Sequence, residues 1–389
     1  MKRQLLTIGS LWVCSLLFAH PCSSGQEMQW IDHVEMYTSK RPPVEKRLFR
    51  SEVVERVIEE TVTLLKNEKL KWMFANCFPN TLDTTVFYES EPEDDTFVVT
   101  GDIPAMWLRD SSAQVWPYLM YANEDERLRK MIRGVILRQF RLVLLDPYAN
   151  AFYRDLSGKG EWQNDRTPMR GGIHERKWEI DSLCYVVRLA YHYWKVTGDD
   201  SVFTAEWMQV VESILTVFKD QQRKENRGNY SFLRVTDRQY DTLSNDGYGN
   251  PVRANGLIAS SFRPSDDATV YPFLIPSNFF AVTSLRQMEE ILLKVNKNKA
   301  MARACNVLYM EVGEALKKHA IHKHPTYGKI YAFEVDGYGN QLCMDDANIP
   351  SLLALPYICD VKPSDRIYQN TRKYLLSLDN PCLLYTSPS

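Results

Sequence analysis

The run His174-Glu175-Arg176-Lys177-Trp178-Glu179-Ile180-Asp181 gathers carboxylates at the start of a stretch whose later residues Tyr185, Leu189 and Tyr193 keep helical spacing. Hydrolysis of a glycosidic bond needs two carboxyl groups, one protonated to donate to the leaving oxygen and one ionised to attack or to activate water. Burial against rings such as Trp178 or Tyr185 raises a carboxyl pKa, which an acid catalyst requires. The same carboxylates also suit a first helical turn, where they complement the helix dipole. Both readings stay open on this stretch alone.

Trp107-Leu108-Arg109-Asp110 stands where a loop enters a helix. An Arg-Asp pair can clamp neighbouring sugar hydroxyls, or cap the helix with a structural ion pair. Arg263 with Asp266 and Asp267, and Asp345 with Asp346 and Asn348, invite the same two readings. Neither acidic loop has the alternating ligand spacing of a calcium site, and no metal is expected. His319, His322 and His324 look like a ligand cluster but read as the fraying end of a surface helix. A phosphate-binding glycine loop, GxSxG and HExxH are all lacking, so no cofactor is expected.

The elements that must position these groups are mainly helices. Amphipathic stretches run at about 45–70, 124–146, 176–197, 201–224, 276–296, 299–319 and 362–378, about nine helices in all. Between them lie long polar connections at 80–105, 147–174, 226–272 and 323–348, which hold most of the residues above. Helices joined alternately by short and long links imply hairpins around a centre with the long loops at one end. Two of those loops carry Asp-Gly-Tyr-Gly-Asn, at 246–250 and 336–340, read as two similar hairpin tips.

Composition agrees with a neutral substrate. Lys+Arg 47 against Asp+Glu 49 gives a formal charge of -2, which offers no pull toward nucleic acid or anionic membrane. The 9 Trp, 21 Tyr and 16 Phe supply rings that can stack on sugars, although most must be core. Lys2 and Arg3, the apolar stretch from Leu5 to Ala19 and the small residues Ser23 to Gly25 read as an export signal over 1–25. The expected location is periplasmic or secreted, with a lipid anchor on Cys22 as the lesser alternative and no membrane span. Cys77, Cys184, Cys305, Cys343, Cys359 and Cys382 show no CxxC spacing, which argues against structural zinc. Cys184 and Cys305 lie in apolar helical patterns and read as buried small hydrophobes.

Five blocks in one order carry a resemblance: TGDIPAMWLRDSSAQVWPYL at 100–119, LLDPYANAF at 144–152, HERKWEIDSLCYVVRLAYHYW at 174–194, FRPSDDATVYPFLIPSNFFAV at 262–282 and AFEVDGYGNQLCMDDANIPSLLALPY at 332–357. Over roughly residues 28–381 the chain resembles glycoside hydrolase family 125. The resemblance implies an all-α (α/α)6 barrel with long loops and short hairpins at the active-site end. It also implies metal-independent, exo-acting release of non-reducing terminal α-1,6-linked mannose from an α-mannoside glycan or mannooligosaccharide, with inversion. By the family's pattern Asp181 is the general acid. Trp107, Arg109, Asp110, His174, Glu175, Arg263, Asp267, Asp336, Asp345, Asp346 and Asn348 fall in blocks that line its sugar pocket.

The departure comes after Pro381. The family continues through further helices that carry the general base, whereas Cys382 to Ser389 read as a non-native tail. The expected layout is therefore a signal over 1–25, a hydrolase domain over 26–381 that is incomplete at the C-terminus, and the tail at 382–389. A catalytically dead mannoside-binding protein and an α-glucosidase on the same barrel are the alternatives.

Overall fold

The computed structural model describes residues 37–158 and 160–382. The expected signal, the Cys22 anchor and all of the expected tail but Cys382 lie outside the described residues. The elements below belong to the unit that begins at Lys40.

Helices dominate, and their ends follow local chemistry. The periodic stretch expected over 45–70 divides into Glu52–Leu64 and Glu68–Cys77, because the Asn67 side chain accepts from Leu70 N–H and starts a new helix. Glu126–Leu145 starts at Asp125, which accepts from Leu128 N–H. Ala205–Gln221 starts at Thr204, Lys299–His319 at Asn298 and Arg366–Leu375 at Asp365, each with its side chain accepting a first-turn N–H. Ile180–Thr197 stops at Gly198, whose φ of +74° closes the last turn in the left-handed region.

The helices form two rows. Leu108–Val115, Ile180–Thr197 and Ile275–Lys294 pack side by side; Glu126–Leu145 and Lys299–His319 lie against them, and Ala205–Gln221 packs against both of these outer helices. Residues 180–191 are buried without a break, the pattern of an inner helix covered on every side. The Ala205–Gln221 helix instead buries one stripe, Trp207, Val210, Val211, Ile214 and Phe218, as its spacing predicts. Cys184 and Cys305 are buried in this core, as expected.

Strands β1 (Val86–Glu89) and β2 (Asp95–Val98) form a first antiparallel pair. Short and long links alternate as the periodicity predicts, and the long links are pinned by small antiparallel sheets. Strands β3 (Met106–Trp107), β4 (Ala151–Phe152) and β5 (Ile173–Glu175) pair so that Trp107 faces Ala151 and Ala151 faces Glu175. Strands β6 (Phe273–Leu274), β9 (Glu334–Val335) and β10 (Gln341–Leu342) pair in the same way, with Leu274 opposite Glu334. Strand β3 runs directly into the Leu108 helix and β6 into the Ile275 helix, while β5 reaches the Ile180 helix through residues 176–179. The inner helices therefore begin from sheets that hold the loops.

Two expectations change. His319 ends its helix, but His322 and His324 lie in strand β7 (Ile321–His324), paired with β8 (Gly328–Tyr331), because the chain turns back at residues 325–327 instead of fraying. The two Asp-Gly-Tyr-Gly-Asn copies also differ. Residues 336–340 join β9 to β10 as a hairpin tip, whereas 246–250 begins inside a 3-10 turn and is closed by Ser244 on Asn250. Identical turn residues adopt different turns because their flanks pair in one case and not in the other.

Candidate active site

Arg109 lies in the first turn of the Leu108 helix and Asp181 in the first turn of the Ile180 helix. The β3-β4-β5 register brings these two helix starts together, and Arg109 Nη1 donates to Asp181 Oδ2 at 3.1 Å and to Glu179 Oε2 at 2.6 Å. Asp110 stands 3.7 Å from Arg109 Nε, and Asp266 stands 3.9 Å from Nη2. Glu179 and Asp181 are wholly buried, yet Glu179 Oε1 and Asp181 Oδ1 have no hydrogen-bond partner among the described residues.

Such groups are costly to ionise. Burial raises the Glu179 carboxyl well above its usual range and raises Asp181 as well, against the pull of Arg109. One guanidinium faces both carboxyls, so the pair gives up its last proton less readily than an exposed carboxyl would. Such a proton is what an acid catalyst needs, with Asp181 Oδ1 unspent by the protein.

The buried segment 176–179 is not helical, so its backbone must find partners elsewhere. Trp178 N–H donates to Tyr230 Oη at 3.0 Å, and Trp178 O accepts from Ser261 and Phe262 N–H at 3.2 and 3.1 Å. Ile180 N–H donates to Ser260 Oγ at 3.2 Å. The 230–262 loop thus fixes the entry to the helix that carries Asp181.

Glu175 plays a different part from Asp181. Its carboxylate accepts from Asn150 Nδ2 and Arg234 Nη2, both at 3.0 Å, and lies 3.6 Å from Lys177 Nζ. Arg234 also binds Asp165 at 2.7 Å, and Lys177 binds Asp241 at 2.7 Å. Burial pushes Glu175 up, but Lys177 and Arg234 outweigh it and hold the carboxyl below its usual range. Beside this network His174 donates to or accepts from Tyr153 Oη at 2.8 Å, and its ring meets Trp107 edge-on at 5.3 Å. Burial lowers the His174 pKa, so the ring is neutral at pH 7.

On the β6-β9-β10 side, Arg263 Nε donates to Glu334 Oε1 at 2.6 Å. Asp267 and Asp346 both act electrostatically on Arg263, which places the FRPSDD and MDDAN blocks together. Asp345 accepts from Leu352 and Leu353 N–H at 2.8 and 2.9 Å, and burial pushes its pKa up to about 7. Asp346 accepts from the Asn348 backbone and side chain at 3.0 and 3.1 Å. Tyr185 Oη donates to Ile349 O at 3.1 Å and ties this loop to the Asp181 helix.

Asp336 does not join the cluster. Its oxygens accept from Tyr338, Gly339 and Asn340 N–H and from Asn340 Nδ2, all inside its own turn. Glu179 and Asp266, named among the candidate carboxylates but not in the set assigned to the pocket, join the site, and so does Glu334, which nothing in its sequence setting had singled out. The one signal for Glu179 was its place two residues before Asp181 at a helix start.

A cavity of about 610 Å³ lies elsewhere, between the Ala205 and Lys299 helices, and none of these groups lines it. Among the described residues no group of three His, Cys, Asp or Glu side chains is arranged to hold a metal ion. Among them also, no helix is long and apolar enough to cross a membrane.

The comparisons with known proteins point the same way. The sequence profile of a family described as metal-independent alpha-mannosidase (GH125) matches residues 67–387. The meiotically up-regulated gene 157 protein of Schizosaccharomyces pombe is 42% identical over 364 residues, which span 89% of this chain and 71% of that protein. A solved metal-independent alpha-mannosidase of Streptococcus pneumoniae, in a non-productive complex with alpha-1,6-mannobiose, superposes with a TM-score of 0.81 at 44% identity. That match covers 86% of this chain and 78% of the other. A family match over most of the chain, on a helical fold with buried carboxyls where its inner helices begin, means that this chain belongs to glycoside hydrolase family 125, the metal-independent alpha-mannosidases.

Proposed function

We propose that this protein is an exo-acting hydrolase that releases non-reducing terminal α-1,6-linked mannose with inversion, on an (α/α)6 barrel, with Asp181 as the general acid. The observation that carries the reading is Asp181 itself, buried in a first helical turn, bound by Arg109 through one oxygen and unspent at the other. The linkage is taken from the Streptococcus pneumoniae enzyme's mannobiose ligand.

In this mechanism Asp181 gives its proton to the glycosidic oxygen as the bond to C1 breaks, and a second carboxylate takes a proton from the attacking water. Glu179 does not suit that second role. It shares one Arg109 nitrogen with Asp181, closer than the roughly 6.5–9.5 Å that leaves room for a water on the opposite ring face. Trp107 and His174 offer an aromatic wall, and Asp110, Arg263, Asp267 and Asp346 offer hydroxyl partners. Export through residues 1–25, to the periplasm or medium, is part of the same proposal.

The test is release of mannose from α-1,6-mannobiose with excess chelator, followed by NMR to identify the first anomer formed. Asp181→Asn should lower kcat by at least about 100-fold, the scale of a lost general acid. Unchanged turnover in that variant, or initial α-mannose, would overturn the assignment.

A further inference from the structure

Arg109 is surrounded by more negative charge than it can balance. Glu179 and Asp181 share its Nη1, Asp110 approaches Nε, and Asp266 approaches Nη2. An Arg hydrogen bond favours the ionised form of a carboxyl. If Asp181 alone faced Arg109, the guanidinium would strip it of the proton that acid catalysis requires.

Glu179 changes that balance. Its Oε2 takes the shorter Arg109 bond, 2.6 Å against 3.1 Å for Asp181, and also accepts from Ser182 Oγ at 3.0 Å. Two side-chain donors on one oxygen favour the anion at Glu179, whereas Asp181 has one longer side-chain donor besides its own backbone N–H. A negative Glu179 on the same nitrogen then opposes ionisation of Asp181. Glu179 is 0% exposed, so water screens none of this.

We propose that Glu179 is a positioning residue for the acid: by drawing Arg109 to itself and placing a second carboxyl on the same nitrogen, it keeps the proton on Asp181 until a leaving oxygen accepts it. This rests on Asp181 being the acid. Besides Arg109, the titratable and charged groups that act on the pair are Asp110 on the Leu108 helix, Asp266 on the 263–267 turn, Tyr230, which interacts electrostatically with Glu179, and Cys184 and Tyr185, which interact with Asp181. Burial raises both members of the pair, Glu179 further than Asp181, and it is the two side-chain donors on Glu179 Oε2 that assign the proton of the pair to Asp181.

Glu179→Gln keeps the shape and the acceptor oxygen but removes the charge. The upper limb of the kcat/KM pH profile, which reports the protonated acid, should move down by one unit or more. Activity at pH 5 should stay within about threefold of wild type, and activity at pH 7.5 should fall more than tenfold. Glu179→Asp should restore part of the shift. Infrared titration reads the same event in the folded chain without turnover. The carboxylic-acid band that vanishes in Asp181→Asn should be lost at lower pH in Glu179→Gln than in wild type.

An unchanged profile and band would overturn the proposal, since the proton would then belong to Glu179. An equal loss of activity at every pH would also overturn it, because that marks a purely structural role. Full activity in Asp181→Asn would instead overturn the acid assignment itself, whatever Glu179→Gln does.

Discussion

Arg263 reaches Glu334 at 2.6 Å, and the second oxygen of that carboxylate accepts from Val270 and Tyr271 N–H at 3.0 and 2.9 Å. The pair fastens the FRPSDD loop to the short strand that pairs with β6, from which the Ile275 helix starts. Arg263→Met should lower stability by about 3–5 kcal/mol, the usual cost of stranding one buried partner. Adding Glu334→Leu should recover part of that loss, because no carboxylate then remains to be desolvated. Urea denaturation at pH 7 would test both, and a double variant weaker than the single would contradict the argument.

Glu175 should behave as a structural anion. Its pKa is held low in the folded state, so its stabilisation is present above the unfolded value and disappears as pH falls through the folded one. Glu175→Gln should cost about 3 kcal/mol at pH 7 and little once the wild-type carboxyl is also protonated. Denaturation midpoints for the two proteins should converge in acid. A constant gap would show that charge is not the cause.

Asp345 should give the opposite slope. Burial raises its pKa to about 7, so the folded state holds a proton that the unfolded chain has released. Stability from this group falls as pH rises from about 4 to 7, by about 1.4 kcal/mol for each unit between its folded and unfolded values. Asp345→Asn should flatten that dependence over the same window. Parallel stability curves for variant and wild type would refute it.

The two copies of the turn sequence should tolerate alanine differently. Gly337 has φ +81°, and a Cβ there would sit 2.1 Å from Arg253 O, a backbone atom that cannot rotate away. Gly249 has φ +77° with open space around it. Gly249→Ala should cost about 1–2 kcal/mol for the left-handed backbone alone. Gly337→Ala should cost clearly more and lower the denaturation temperature further, and equal losses would count against the clash.

Much of this protein was legible in one dimension. The apolar stripe of Ala205–Gln221 and the alternation of short and long links follow from local periodicity. The blocks around Arg109, Asp181, Arg263 and Asp345 were recognisable because their residue types and order recur in the family. Which carboxylates work together was not. Glu175, Glu179 and Asp181 are close in sequence and alike in chemistry, yet one is locked to Arg234 and Lys177 while the others share Arg109.

That division is made by the register that sets Trp107 opposite Ala151 and Ala151 opposite Glu175, across links of tens of residues. Local pattern determined which segments would be helices and which side chains were available. Only the tertiary structure decided which of them would lose water and which cation each would meet, because desolvation and Coulomb attraction depend on distances in space that sequence spacing does not encode.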